Sequence, residues 1–352
     1  MLDTFSFYQG DNISSCKTRG RFMQDIMMRC FSIFMPYAYK ETQNVMTDDS
    51  IDFAHYTSAE TLLKILDGAG PNNPPKIWMR NVRTMNDVDE IYHGYDRIQA
   101  ALNDGGRNDR LKAAFESINL DATTSALTSF HSHWDNHLTH TYITCMTAHD
   151  ELENKFGRLS MWRAYGKNTV GAAIILNKTP FFTPSDILGA YSSPVAYHTD
   201  EKLASEIDQV IYNIETNKDW LKTVDPECIG FYIFNMFSFG VTCLKHPGFR
   251  EEKEWRIIFN PKMRDNGTIP HTTQSVDGAP QKIYTLEMKD IHIGEDSLTG
   301  ISPDALIKRV IIGPSQLQGT VREAMIEALT KVGVTNAEKR VVLSTIPMRV
   351  AI

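Results

Sequence analysis

From Asp52 onward the spacing of hydrophobic and polar residues switches repeatedly between a period of two and a period near 3.6. Phe53–Thr57 alternates as a short strand. Ser58 then stands as an N-cap before a helix Ala59–Leu66 that stops at Gly68. A second strand is predicted at Lys76–Asn81, and Asn86 and Asp87 open a helix running to about Asn103. Helices follow over Arg110–Ile118 and Thr124–His137, then a strand Tyr142–Thr147 and a short helix Leu159–Tyr165. Val170–Leu176 is apolar at every position, as a strand covered on both faces would be. Two helices fill Asp200–Thr223 and Glu227–Leu244. Strands are expected at Glu254–Phe259, Ile283–Glu287, Val310–Gly313 and Val341–Ser344, with a helix Thr320–Val332 before the last. Strands and helices do not alternate regularly, so the pattern predicts an α+β fold and disfavours a doubly wound nucleotide fold.

Residues 1–50 read differently. Arg19–Tyr39 is rich in Met and Phe with interspersed arginines, and predicts a helix that stops near Pro36. The expected organisation is therefore an N-terminal helical extension, 1–50, and a single α+β domain, 51–352, with helical insertions at about 100–140 and 200–246.

Composition narrows the function classes. With 352 residues, 42% hydrophobic and 22% charged, the chain has the make-up of an ordinary globular protein. A net charge of −7 argues against broad, sequence-independent coating of nucleic acid. The five cysteines, 16, 30, 145, 228 and 243, show no CxxC spacing, which predicts free thiols and a cytoplasmic location. The most apolar run, Phe231–Leu244, is too short to span a bilayer, so no membrane partner is expected. No Gly-rich phosphate loop, GxSxG, HExxH or dinucleotide fingerprint is present.

The candidate chemistry is dispersed. His55-Tyr56-Thr57-Ser58 sits at a strand end entering a helix, a place from which an imidazole reaches a ligand hydroxyl or caps a carbonyl. Asn86-Asp87-Val88-Asp89-Glu90 crowds acidic groups into one helical turn, either complementing the helix dipole or offering carboxylates to a metal. Trp162 and Tyr165 share a helix face, as core rings or as a platform for a flat heterocycle. In Arg250–Phe259 a strand would put Glu252, Glu254 and Arg256 on one face and Trp255, Ile257 and Phe259 on the other. Arg349, in a tail that follows a strand, is either a surface arginine or a phosphate ligand. His133 and His137 have helical zinc-ligand spacing, but no carboxylate or thiol nearby completes a shell, so no metal is assigned.

Taken in order, these segments resemble domain-of-unknown-function family 2971 of bacteria. The motifs concerned are His55–Ser58, Trp78, Asn86-Asp87 with Glu90, Cys145, Met161-Trp162 with Tyr165-Gly166, Glu252 with Glu254-Trp255-Arg256, Ile312-Gly313-Pro314 and Ser344–Arg349. The layout is more remotely similar to the ADP-ribosyltransferase superfamily. That similarity implies a split mixed or antiparallel β core and an enzyme that takes NAD as substrate. It implies His55 on the adenosine-side ribose, Tyr165 or Trp162 stacked on nicotinamide, and Glu254, with Glu252 as alternative, at the nicotinamide ribose. Tyr56 and Thr57 would line the same pocket, and Arg256 or Arg349 would hold the pyrophosphate. A toxin or phage-defence effector modifying nucleic acid or protein, with an antitoxin or chaperone partner, is the implied setting. The alternatives are a non-catalytic nucleotide-binding sensor and a metal-dependent nuclease using Asp87, Asp89 and Glu90.

Overall fold

The structure is a computed structural model and describes residues 17–68, 73–84, 90–166, 169–183, 185–276, 278–294 and 296–348, without the side chains of 17–23 and 90. The chain forms two compact units, one from Met1–Gln43, Asn86–Thr139 and Val195–Phe249 and one from Asn44–Met85, His140–Pro194 and Arg250–Ile352. The leader and the two expected helical insertions thus share a unit, where the sequence predicted a boundary at residue 50. Among the described residues no helix is long and apolar enough to cross a membrane.

The first unit is helical. Its central helix, Pro226–Thr242, is capped by Asp225, whose carboxylate accepts from the Glu227 amide at 2.8 Å, and Pro226 occupies the first turn, where no amide partner is needed. Ile229, Tyr232, Ile233 and Val241 of this helix are buried, and it packs against Lys17–Phe34, Glu90–Asn103 and Leu120–Ser132. Phe34 stacks between Phe115 and Tyr232, with centroids 6.3 and 5.9 Å away. The helix expected to stop near Pro36 ends at Phe34, and Pro36 begins a second helix, Pro36–Thr47. The ring lacks an N–H and has a preset φ, which makes proline a starter as readily as a stopper. The predicted helices 124–137 and 200–223 are each broken, at His133 and at Asn217.

The second unit holds the sheet. Its strands are β1 Asp52–Ser58, β2 Lys76–Asn81, β3 Tyr142–His149, β4 Gly171–Leu176, β5 Tyr191–Pro194, β6 Glu254–Phe259, β7 His271–Val276, β8 Ala279–Glu287, β9 Ile291–Ile293, β10 Asp296–Leu298, β11 Ile307–Ile312 and β12 Val341–Leu343. The main order is β12-β11-β4-β1-β3-β2-β8-β7, with β6 on β3 and β5 on β6, while β9 and β10 form a separate hairpin. Among the described strands only the β11–β12 pair is parallel, joined through the helix Gln318–Lys331. The fold is thus α+β with a mixed sheet. Strands β4 and β6 are buried at every position, which explains their unbroken apolar or tightly paired character.

Alternation divides the core between the two sheet faces. Phe53, Ala172, Ile174, Val310, Ile312, Trp255 and Phe259 belong to the larger cluster, whereas Ala54, Tyr56, Ala173, Ile175, Ile311 and Trp162 form the smaller. Trp162 is fully buried, its indole N–H donating to the Phe156 carbonyl at 3.0 Å. A Cβ on Gly157, Gly171 or Gly313 would lie 2.2, 3.2 or 2.9 Å from its ring. Gly157 also has φ +73°, a left-handed conformation costly to any other residue.

Gly157→Ala should therefore destabilise the protein by about 3 kcal/mol, because strain and overpacking act together. Gly267→Ala, at φ +70° with open space around it, should cost only about 1 kcal/mol. Urea titrations of both variants measure this, and equal losses would contradict the packing account.

Candidate functional site

The two edges of β3 are used differently. One edge carries β6 continuously, from Tyr142↔Phe259 to Thr147↔Glu254. The other edge is divided: β1 pairs with Thr147–His149 and β2 with Tyr142 and Ile143. Between these two ladders the described strand pairing is interrupted, from Thr144 to Met146. His55 lies at this interruption, its Nδ1 2.8 Å from the Cys145 carbonyl. A carbonyl only accepts, so Nδ1 carries the proton and Nε2 is left as an acceptor. Burial lowers the His55 pKa, against a smaller raising effect of that hydrogen bond, which keeps the ring neutral at physiological pH. The Thr144 hydroxyl is buried without a hydrogen-bond partner.

Glu254 and Arg256 project from one face of β6, opposite Trp255, and are only 7% and 3% exposed. Arg256 donates from Nε to Glu254 Oε1 at 2.7 Å and from a terminal nitrogen to Oε2 at 3.4 Å. Ala54, Thr147 and Glu254 stand in one row across β1, β3 and β6. Glu254 is therefore about two strand spacings, some 10 Å, from the backbone beside His55. By strand alternation Glu254, Thr147 and Tyr56 share the face of the smaller core cluster, and His55 falls on the other face, at the interruption.

Arg158 holds this region together. Its Nε donates to Glu153 Oε1 at 2.7 Å, and one terminal nitrogen reaches Glu153 Oε2 and the Ala148 carbonyl, both at 2.8 Å. The other terminal nitrogen donates to Thr147 Oγ1 at 2.6 Å and to the Glu252 carbonyl at 2.7 Å. Thr147 Oγ1 donates to that same carbonyl. All five guanidinium N–H groups are thereby paired. The Arg158 amide donates to Tyr56 Oη at 2.6 Å, and Tyr56 in turn donates to His149 Nε2 at 2.8 Å. Burial, reinforced by the Arg158 charge, brings the His149 pKa down to about 4. Burial raises the Glu153 carboxyl, but the hydrogen bonds and charge of Arg158 outweigh it and the pKa falls to about 2. Lys253, between the clamped Glu252 carbonyl and Glu254, takes φ +44°, the one left-handed turn that swings Glu254 into the sheet.

The expected site residues separate into groups. His55 lies beside the interruption in the β1–β3 and β2–β3 pairing, whereas Glu254 lies across the other edge of β3 and on the opposite face of the sheet. Tyr165, 42% exposed, stacks on Tyr56 at 6.4 Å and 25°. Trp162, expected as a stacking partner for a ligand, is instead a core residue whose faces are closed by glycines and by Tyr56 at 4.8 Å. Tyr56 likewise uses its hydroxyl and ring internally, and Thr57 is buried in register with Ala172. Glu252 precedes β6 rather than lying on it, and its carbonyl accepts from Arg158 and Thr147. Arg256, expected at a pyrophosphate, is engaged by Glu254. Arg349, Asp87, Asp89 and the Glu90 side chain lie outside the described residues. His137 packs against Phe130 and Phe234, and its pKa is lowered to about 4, chiefly by burial. Among the described residues no group of three or more His, Cys, Asp or Glu is placed to hold a metal ion.

A further cleft of about 120 Å³ is lined by Ile77, Phe181, Leu188, Tyr191, Ile257 and Met288 among others. Its lining is mainly apolar, with Thr183, Ser185, Ser192 and Glu287 as polar members, and neither His55 nor Glu254 lines it.

Both lowered pKa values predict softening at acid pH, because the unfolded chain binds protons more readily. His149 contributes stability that is complete above 6.5 and is lost as pH falls toward about 4. Glu153 contributes stability complete above 4.5 that is lost toward about 2. In urea titrations across pH, His149→Gln should remove the upper stage and Glu153→Gln the lower. Arg158→Lys should cost about 2–4 kcal/mol at neutral pH, since an ammonium cannot serve five acceptors. A loss below 1 kcal/mol would show that the bracket is dispensable.

No curated protein and no solved structure matches the chain. Residues 161–257, a span that holds Trp162, Tyr165, Glu252, Glu254 and Arg256, match the model of the family described as Protein of unknown function (DUF2971), which supports the family resemblance carried by the ordered motifs.

Proposed function

We propose that the protein is an NAD-consuming ADP-ribosyltransferase-like enzyme, with the interrupted edge of β3 as the place where NAD enters. The observation that carries this reading is the division of that edge between β1 and β2, with His55 at the gap and the buried Glu254 carboxylate two strands away, across the other edge of β3 and on the opposite sheet face. Breaking the nicotinamide–ribose bond builds positive charge on the sugar. Glu254 is the residue assigned to the nicotinamide ribose: it accepts a hydrogen bond from a ribose hydroxyl and stabilises the developing cation. Arg256 keeps the Glu254 carboxylate in place. His55, with its Nδ1 proton committed to Cys145, accepts a hydroxyl of the other ribose at Nε2. Tyr165, the exposed ring of the aromatic cluster, is assigned to the nicotinamide face. The acceptor is nucleic acid or protein, in keeping with a toxin or phage-defence effector.

Incubation with NAD carrying a label on the adenylate half, in the presence of cell extract, tests the reading. Label should pass to a macromolecule with release of nicotinamide. Glu254→Gln should lower the rate by a factor of about 10² or more, and His55→Ala by about 10-fold or more. A folded protein that neither consumes NAD nor transfers label, or a Glu254→Gln variant as active as the parent, would contradict it.

A further inference from the structure

The cleft lined by Phe181, Ile257 and Met288 has no part in the NAD reading. Its volume of about 120 Å³ is close to the roughly 150 Å³ of an apolar cavity that takes up benzene. It is well below the range of about 300–1,000 Å³ that drug-sized ligands occupy, so a single ring is the largest body it accepts. Ile77, Ile257 and Met288 belong to the larger core cluster, which makes the cleft a break in the packing of that sheet face. Phe181 already meets Phe53 edge-on at 5.2 Å and 90°, and Phe53 lies 5.2 Å from Trp255. A ring placed against Phe181 would extend this aromatic cluster. Met288 adds a polarizable thioether, which favours contact with aromatic rings.

The polar members of the lining are engaged by the protein itself. Thr183 Oγ1 donates to the Thr179 carbonyl at 3.2 Å, Ser192 Oγ donates to the Phe181 carbonyl at 2.9 Å, and Ser185 Oγ accepts from the Ile187 amide at 3.3 Å. Tyr191 Oη accepts from Arg264 at 2.6 Å. Glu287, the one charged residue in the described lining, has Lys289 Nζ at 2.9 Å and Lys76 Nζ at 3.5 Å. A charged ligand would lose its water there and gain no partner. One wall is separable from the rest. Leu298 belongs to the β9–β10 hairpin, which pairs with no strand of the main sheet among the described residues, and Asp290 ties its base by accepting from the Ile301 and Ser302 amides at 2.9 and 3.1 Å. A shift of this hairpin would break no ladder of the main sheet, which gives a ring a way in.

We propose that this cleft binds one neutral, single-ring aromatic molecule in contact with Phe181 and Met288. Binding is non-covalent and is driven by burial of the ring, and the site is separate from the one assigned to NAD.

The test uses the folded full-length chain and fluorobenzene, whose fluorine resonance shifts and broadens when the molecule is bound. The change should saturate at one site, and phenol should reverse it. Cyclohexanol should compete about 3-fold less well or worse, since it has the size but no aromatic face. Benzoate and benzylammonium should compete about 10-fold less well or worse, since each buries a charge. Naphthol, with two rings, should not compete. Ala190→Phe and Leu298→Trp each put a ring into the space and should abolish fluorobenzene binding in protein whose circular dichroism matches the parent. A crystal soaked in bromobenzene should show the bromine in the cleft, which keeps the test decisive if both variants fail to fold. A folded parent with no saturable binding, benzoate or cyclohexanol competing as well as phenol, binding that survives in a folded Ala190→Phe or Leu298→Trp protein, or bromobenzene bound elsewhere would each overturn the proposal.

Discussion

Arg158 donates every guanidinium N–H it has, and the elements around the candidate site are positioned by what accepts them. A charge taken out of water is tolerated only when it is fully paired, so its five acceptors are constrained as a set. They come from three places: the Glu153 carboxylate just before it in sequence, Thr147 and Ala148 near the end of β3, and the Glu252 carbonyl ahead of β6. The bracket thereby fixes the end of β3 against the start of β6. With Glu252 held and Lys253 turned left-handed, Glu254 has one way to enter the strand. The Arg158 amide extends the same network to Tyr56, and Tyr56 to His149, so β1 is tied to the bracket as well.

Packing closes what the bracket begins. The helix Leu159–Tyr165 follows Arg158 directly and drives Trp162 into a slot that exists because Gly157, Gly171 and Gly313 have no side chains. The polar and apolar halves of this region are therefore continuous. Moving the indole would shift the helix that follows Arg158, and losing the guanidinium would free that helix to move. The division of β3 between β1 and β2 survives within this frame, because β1 is held on its other edge by β4 along six residue pairs. A strand fixed on one side need not pair fully on the other.

Much of the fold was legible because local signals agreed. Ser58 does cap its helix, accepting from the Thr61 amide at 3.1 Å, and β2, β6 and the helix Leu159–Tyr165 have the predicted bounds. Strands β5 and β7 escaped because Tyr-Ser-Ser-Pro and His-Thr-Thr-Gln-Ser-Val show no apolar alternation. Strand β7 is exposed almost throughout and exists through its pairing with β8. The alternation that put Glu254 and Arg256 on one face and Trp255 on the other held. Trp162 was ambiguous, since two aromatics on one helix face serve a core and a ligand equally well until the glycines from distant segments are brought beside them. Arg158 gave no signal at all: two of its five acceptors are backbone carbonyls, which sequence does not mark. His55 stood out as a residue, but the interruption beside it is a property of strand pairing.

The central claim is that the interrupted edge of β3 admits the nicotinamide end of NAD to Glu254. A crystal structure with a carba-NAD analogue, whose nicotinamide–ribose linkage resists cleavage, tests it without relying on turnover or on the right acceptor. The account predicts a nicotinamide-ribose hydroxyl within hydrogen-bonding distance of the Glu254 carboxylate and the adenosine ribose against His55 Nε2. An analogue bound elsewhere in a well-ordered crystal, with that gap filled by side chains, would contradict it.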